Sequence, residues 1–444
     1  MKLTALEHLK QSGDFTKERL NNGSFDILLM YLSSMADDTL LRKEIVHPFQ
    51  AARTAEDFAH ILSSVLTGSK LKDETELLEA IYTGHAIILF NDAFYKIKVP
   101  KSINDKPKSA TAETTLQGPQ LGFSEDVDTN LLLIRKRYPQ KRLVAEKLHL
   151  GNLSKTPAYL VFDSDKVDRE ALKLFRDKLR GINVDVIQAV GQVDAVISGT
   201  RFRWFPTLVS SERPDRVTHN LSQGKIVLML DGTPFCLIGP AVFYDFISAM
   251  DDIYQPFVIS RSLVILRYIG IALTILLPAL YVAIVSYNPE VFRVQFALSI
   301  AGSRAAVPYP SFIEVTIMLF LIEALIEASL RLPRYIGSTA TTVGGLILGQ
   351  AAQQAGLVSS IMIIITSVVA ISNFLIPINT MSFALRVAKY PLIMLAAFFG
   401  IAGLVTGVYA IGIYAANLQS FGKPYFRLFL GEPAISGYKE GDPY

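Results

Sequence analysis

Residues 391–415 read PLIMLAAFFGIAGLVTGVYAIGIYA, twenty-five positions without a charged side chain. As a helix rising about 1.5 Å per residue, this stretch outreaches the roughly 30 Å hydrocarbon core of a bilayer. Three more apolar stretches of the same class precede it, at 262–285, 311–330 and 357–376, so four bilayer spans are expected. A fifth stretch, STATTVGGLILGQAAQQAG at 338–356, is long enough to cross but too polar to face lipid. It must cross behind other helices or re-enter, because hydrocarbon satisfies no polar group. Counting it as a crossing sets Arg331 and Arg334 on the side of Arg386 and Lys389, and on the side of the charged amino-terminal half. The positive-inside rule is then met with five crossings and the carboxy-terminal tail on the opposite side. Arg293 and Arg304 run against the bias.

The rest of the composition fits that division. Of 444 residues half are hydrophobic and 19% are charged, below the usual quarter. Residues 262–420 hold seven bases and four acids, whereas residues 1–261 hold 33 of each. Charge so balanced excludes a basic nucleic-acid surface, which needs clustered Lys and Arg. A single cysteine, Cys236, excludes a disulfide framework, and His8, His47, His60, His85, His149 and His219 show no metal-ligand spacing. There is no GxxxxGK[ST], GxSxG or HExxH string. The expectation is a protein without catalytic residues, metal or cofactor.

The amino-terminal half opens with Lys2, Glu7, Lys10, Asp14, Lys17, Glu18 and Arg19 and no apolar core, so no signal peptide is expected and this half is assigned to the cytosol. It reads as two α/β subdomains, 1–104 and 123–255, joined by a linker at 105–122 within the polar stretch 101–122. A helical transmembrane domain at 256–420 and a tail at 421–444 complete an α+β and membrane architecture. In the first unit a buried strand is expected at 25–32 and a hairpin at 85–99. In the second, a strand is expected at 157–163, a helix at 167–180 and a hairpin at 225–238. Gly84 and Gly224, Asn91 and Asp231, and Pro100 and Pro240 are each 140 residues apart, which reads as an internal repeat. Two unrelated hairpins with similar turn chemistry are the alternative. A helix from Ser124 to about Arg137 is expected to open the second unit, capped by Ser124, with acids at its start and bases at its end.

Carboxylates inside a span are costly, which singles out Glu314, Glu323 and Glu327. At about 100° per residue Glu323 and Glu327 lie about 40° apart, and Glu314 about 180° from Glu323. Glu323 is expected to face a hydrated cation path or a subunit contact. Glu327 has the same reading, or a pairing with Arg331 four residues on. Glu314, near the span's end, is expected to meet interfacial water. In 338–356, Thr339, Thr342, Leu346, Gln350 and Gln353 form one stripe, with Val343 at its edge. A polar stripe interrupted by one leucine suits a pore helix with a constriction that closes by dewetting. Interhelical hydrogen bonding in a static bundle is the competing reading. Gly345-x-x-x-Gly349 and Gly403-x-x-x-Gly407 are spaced for close helix packing.

Seven strings carry a family resemblance: GFSEDVDTNLLLIRKR (122–137), FPTLVSSERPDRV (205–217), LMLDGTPFCLIGPAVFYDF (228–246), LLPALYVAI (276–284), RLPRYIG (331–337), GLILGQAAQQAGLVS (345–359) and FGKPY (421–425). Together and in this order they resemble the A subunits of the GerA family of spore germinant receptors. The resemblance implies a multi-pass protein of the spore inner membrane, assembled with a permease-like B subunit and a lipoprotein C subunit. It further implies that A subunits form a ring, a pentamer, around a nutrient-gated cation channel that triggers germination. The first hundred residues match the family only in outline, and Ser211 stands where the family commonly has Thr. The A-like protein of the dipicolinic-acid release operon is a second possibility within the same resemblance. Outside it stand a secondary transporter, which calls for a repeat within the membrane half that the sequence lacks, and a membrane scaffold, which needs neither stripe nor buried carboxylates.

Overall fold

A computed structural model describes residue 9 and residues 11–64, 69–71, 74–101, 109–113, 115, 117–199, 203–330 and 334–427. The first sheet contains β1 (Phe15–Asn21), β2 (Asp26–Leu32), β3 (Ser69–Lys70), β4 (His85–Phe90) and β5 (Ala93–Lys98), in the order β1-β2-β4-β5-β3. The second contains β6 (Leu143–Leu150), β7 (Thr156–Asp163), β8 (Val209–Ser211), β9 (Ile226–Leu230) and β10 (Cys236–Gly239), in the order β6-β7-β9-β10-β8. One strand order is thus used twice. Helices α1 (Ala55–Ser64) and α2 (Glu74–Tyr82) belong to the first unit. The second has α3 (Val127–Arg137), α4 (Arg169–Arg180), α5 (Val190–Ile197) and α6 (Pro214–Ser222).

The central strand β9 is apolar throughout because both faces of its sheet are covered. Phe175 and Leu179 of α4 and Val193 of α5 bury Leu160 and Leu228 on one face. Leu131 and Ile134 of α3, with Val217 and Leu221 of α6, bury Val161 and Val227 on the other.

The repeat is not gapless in its pairing. Ile87 pairs with Lys96, yet Val227, 140 residues later, pairs with Ile238 rather than Cys236. The first hairpin turns tightly through Asn91 and Asp92, both at positive φ (47° and 58°). The second takes a wider turn around Pro234, which has no N–H to give a ladder, and Thr233 Oγ accepts from Phe235 N at 3.3 Å. A slip of two residues keeps every side chain on its face.

Helix α3 starts three residues later than expected. Asp126, not Ser124, is its cap and accepts from Thr129 N at 2.9 Å, while Ser124 N donates to Asn130 Oδ1 at 2.8 Å. A carboxylate answers the helix dipole better than a hydroxyl. The connecting stretch, where described, is docked: Ser109 bridges to Leu121, the amides of Ala112 and Glu113 donate to the Glu212 carboxylate, and the Glu113 carboxylate lies 2.9 Å from Arg216.

The two units are tied by a buried ion pair. Arg135 of α3 donates through Nε and Nη2 to both oxygens of Asp14, at 2.8 and 2.6 Å, and Ser12 and Ser34 also donate to that carboxylate. Burial pushes the Asp14 carboxyl up, but the Arg135 charge and these hydrogen bonds outweigh it and hold the group below the ordinary carboxylate range.

The helical half comprises α7 (Phe257–Tyr287), α8 (Val294–Arg304), α9 (Ser311–Leu330), α10 (Arg334–Gln354), α11 (Ser360–Phe374) and α12 (Asn379–Asn417). Among the described residues, α7 and α12 are long and apolar enough to cross a membrane. The single span expected at 391–415 is instead part of a hairpin. Helix α12 breaks at Gly400 (φ 60°, ψ −139°), and its second arm folds back so that Gly403 lies against Leu395 and Gly407 against Leu392. Glycine alone adopts that conformation without strain, and no side chain there intrudes on Tyr287, whose hydroxyl donates to Ala397 O at 2.7 Å.

The reversal changes the fate of the carboxy terminus. The tail expected on the opposite side returns to the second α/β unit. Ser420 Oγ donates to Thr207 O at 2.7 Å and accepts from Ala241 N at 3.0 Å, and Phe243 N donates to Tyr425 O at 2.9 Å. The Phe421 ring stacks on Phe175 at 4.2 Å. One core then runs without a break from Val161 and Val227 of the sheet to Ile271, Met381, Leu385 and Ala415 of the helices.

Two outcomes are expected. Asp14→Asn leaves Arg135 buried without its counter-charge and lowers unfolding stability by about 3–5 kcal/mol, readable in denaturant titrations. Because the folded Asp14 carboxyl titrates below its ordinary range, the pair's contribution is complete above that range and is lost as pH falls through the lowered folded value. An unchanged midpoint at neutral pH removes the pair from the stability of the junction. Cysteines placed singly at exposed Lys173 and Pro424 are expected to react with an impermeant thiol reagent from the same side of sealed vesicles, Cys236 being buried. Labelling from opposite sides contradicts the hairpin.

Candidate functional site

Glu314 stands in the first turn of α9 and is fully buried. Its carboxylate accepts from Ser359 N at 2.8 Å, Ser359 Oγ at 2.6 Å and Arg304 Nε at 3.2 Å, with Tyr281 Oη at 3.4 Å. Ser359 is also the cap of α11, its Oγ accepting from Met362 N at 3.2 Å. The expected contact with interfacial water is therefore replaced by protein donors: the carboxylate joins the ends of α7, α8, α9 and α11. Arg304, which the positive-inside count treated as an exception, is its counter-charge.

Glu323, also on α9, meets α12. It accepts from Arg386 Nε at 2.7 Å, from Arg386 Nη2, and from Lys389 Nζ at 2.9 Å. Arg386 and Lys389 are three residues apart, hence on one face of the first arm. Lys389 is almost wholly buried. The positive-inside count uses these two bases only to set a side of the membrane; the structure places them inside a helix as the partners of Glu323. The carboxylate is thus the centre of an ion group and is not left alone to face a hydrated path. Glu327 is exposed one turn further on, and its expected partner Arg331 lies outside the described residues.

Helix α10 carries the stripe. The side chains of Thr339 and Thr342 lie outside the described residues. Of the others, Leu346 is 62% exposed, Val343 49% exposed, and Gln350 and Gln353 are exposed. The packed positions are others: Gly344 and Gly345 face Leu325 of α9, Gly349 faces Ile363 of α11, and Ala352 is buried. Among the described residues, Val343, Leu346, Gln350 and Gln353 thus share an uncovered side of α10 with the exposed Ile347 and Ala351. The structure keeps Glu314 and Glu323 away from that side. Both glycine pairs pack within the chain, Gly345 and Gly349 against neighbouring helices, Gly403 and Gly407 inside the α12 hairpin.

Sequence reading missed Trp204 and Phe205, which sit where the second unit meets α12; an isolated aromatic pair in a loop gives no periodic signal. It named Arg304 only as an exception to the charge bias and missed its pairing with Glu314, ten residues away across a turn.

Residues 4–433 match the family model described as Bacillus/Clostridium GerA spore germination protein. The chain is 34% identical over 416 residues to spore germination protein B1 of Bacillus subtilis (strain 168), covering 91% of this chain and 85% of that protein. It is 32% identical over 408 residues to spore germination protein KA of the same organism, covering 90% and 75%. It also has a likeness to the crystal structure of the N-terminal domain of the A subunit of the Bacillus megaterium spore germinant receptor GerK3, at 23% identity and a TM-score of 0.42, covering 54% of this chain and 92% of that one.

Glu323→Gln is expected to leave two cations without a carboxylate and to lower the amount of folded protein, by about 3 kcal/mol of stability. Glu323→Gln combined with Lys389→Met is expected to lose less than Glu323→Gln alone, since one of the orphaned charges is gone. The measurement is thermal unfolding of the full chain in detergent. Equal stability of wild type and Glu323→Gln would contradict the ion group.

Proposed function

Because the chain belongs to the GerA family of spore germination proteins, we propose that it is the A subunit of a nutrient receptor in the spore inner membrane. It works there with a permease-like B subunit and a lipoprotein C subunit. Copies of the chain close into a ring, a pentamer, and conduct cations when nutrient binds to the complex. The role involves no catalytic step. The helical half crosses the bilayer with the two α/β units, and the carboxy-terminal tail, on the cytosolic side.

The observation that carries this reading is the uncovered face of α10. Leu346 is exposed there with Val343 and Ile347 beside it and Gln350 and Gln353 further along, and among the described residues nothing covers it. Gln350 and Gln353 are too polar for hydrocarbon and Leu346 is wasted on water, so the face suits a ring whose axis carries hydrated ions and an apolar constriction. Glu323 does not line this path; with Arg386 and Lys389 it holds α9 to α12 behind it.

Leu346→Ala is expected to favour wetting of the constriction, giving ion leak and germination without nutrient, and Leu346→Phe to suppress the response. Val343→Ala tests the neighbouring position. If α10 instead packs statically against another helix, Leu346→Ala opens a packing defect and weakens assembly by about 2–5 kcal/mol. The measurements are ion flux from spores or vesicles and protein level in the same preparation. Normal nutrient dependence in both alanine variants, at normal protein levels, takes α10 out of the gate.

A further inference from the structure

The chain has one tryptophan, Trp204, and it lies outside the buried core. It is 44% exposed in the stretch between α5 and β8, with its backbone N–H donating to Tyr414 Oη at 3.1 Å and its ring 6.2 Å from the Tyr414 ring. Tyr414 stands near the end of the second arm of α12. Thr380, near the start of the first arm, lines with Trp204 a cavity of about 370 Å³. Trp204 therefore marks the level at which both arms of the hairpin meet the second unit.

The surface changes character at that level. Both arms expose large apolar side chains: Val387, Met394 and Phe398 on the first, Val405 on the second. On the side of the α/β unit, Arg203 is paired with Asp194 at 3.0 Å and donates to Thr207 Oγ1 at 2.5 Å. An indole has an apolar body and one N–H, and is at home where headgroups give way to hydrocarbon. A separate observation puts the same chemistry at the foot of α7. Phe257 and Val258 are exposed at its first turn, and the Arg261 guanidinium lies 5.2 Å over the Phe257 ring.

We propose that residues 203–206 are a bilayer anchor: the Trp204 ring inserts at the level of the phospholipid headgroups and glycerol, and the cavity behind it admits the first part of an acyl chain. The occupant is lipid rather than protein because the cavity offers no uncompensated charge. Arg203 is already neutralised within the chain, and Phe383, Ala384 and Val387 supply the remaining wall with Thr380 as its only other polar side chain among those named. The exposed apolar strip continues from this wall down the first arm without a polar break at Val387. Such an anchor fixes the height of the second unit against the membrane. The inference rests on the helical half being embedded in a bilayer, as proposed above.

The single tryptophan makes the test direct. The full-length chain is reconstituted into phosphatidylethanolamine and phosphatidylglycerol vesicles in which part of the lipid carries bromine, placed either near the head or near the end of the acyl chain. Head-proximal bromine is expected to quench most of the Trp204 emission and chain-end bromine much less, with a blue-shifted maximum; Trp204→Phe gives the background. Little quenching by either lipid, with the protein still floating with the vesicles and resisting carbonate, means that protein or water covers Trp204 and overturns the anchor while leaving the membrane reading intact. Stronger quenching from the chain end places the ring too deep and overturns it also. Extraction by carbonate overturns the membrane reading itself, and the anchor with it.

Discussion

A charge withdrawn from water costs several kcal/mol unless an opposite charge meets it, and that requirement positions the helical half of this chain. Glu323 is tolerable on α9 only because α12 brings Arg386 and Lys389 to it, which fixes the register of α9 against the first arm of the hairpin. Glu314 imposes the same condition at the other end of α9, where Arg304 and Ser359 answer it. With both carboxylates committed, α9 becomes a strut between the two ends of the bundle. Helix α10 rests on that strut through Gly344 and Gly345, small enough to let Leu325 approach, and its far face is left over.

The same bundle is continuous with the second α/β unit. The Gly400 reversal brings the chain back to its starting side, and the tail from Ser420 to Tyr425 is then built into the unit through Thr207, Ala241 and Phe243. Since Met381, Leu385 and Ala415 share one core with Val161 and Val227, the feet of the hairpin cannot shift without moving the sheet. The first unit is joined differently, through the Asp14 and Arg135 pair and the Tyr82 hydroxyl donating to Lys141 O at 3.0 Å. One attachment is a packed core and the other includes a buried charge pair, so they respond to different perturbations.

What could be read from the sequence follows from range. The hairpins at 85–98 and 226–239 were legible because turn residues and alternation act over a few positions, and their 140-residue spacing pointed to the strand order that both sheets share. The two-residue slip in the second hairpin was not legible, because Pro234 chooses the turn only when the sheet is there to refuse it a partner. The Ser124 cap was misread by two residues because Asp126 caps the amides of Asp128 and Thr129, while the Val127 amide, which a Ser124 cap would serve, donates to Asp231. Hydropathy gave 391–415 as one continuous apolar run and is blind to a single φ, so the reversal at Gly400 and the side of the tail were lost together. The pairing of Arg386 and Lys389 with Glu323 was not legible because that partner is some sixty residues away in sequence and only the fold brings it near.

The uncovered face of α10 is then best understood by elimination of neighbours. Lipid satisfies Leu346 but not Gln350 and Gln353; water satisfies the glutamines but not the leucine at 62% exposure. The chain's own helices are committed elsewhere by Glu314, Glu323 and the glycine contacts. In the ring proposed above, a second copy of α10 related by rotation would meet both needs at once: the leucines would converge into one apolar level while the glutamines keep water above it. A heterologous contact of this sort closes into a ring when the rotation divides the circle and runs on as an open filament when it does not, so the proposed channel requires the closed case.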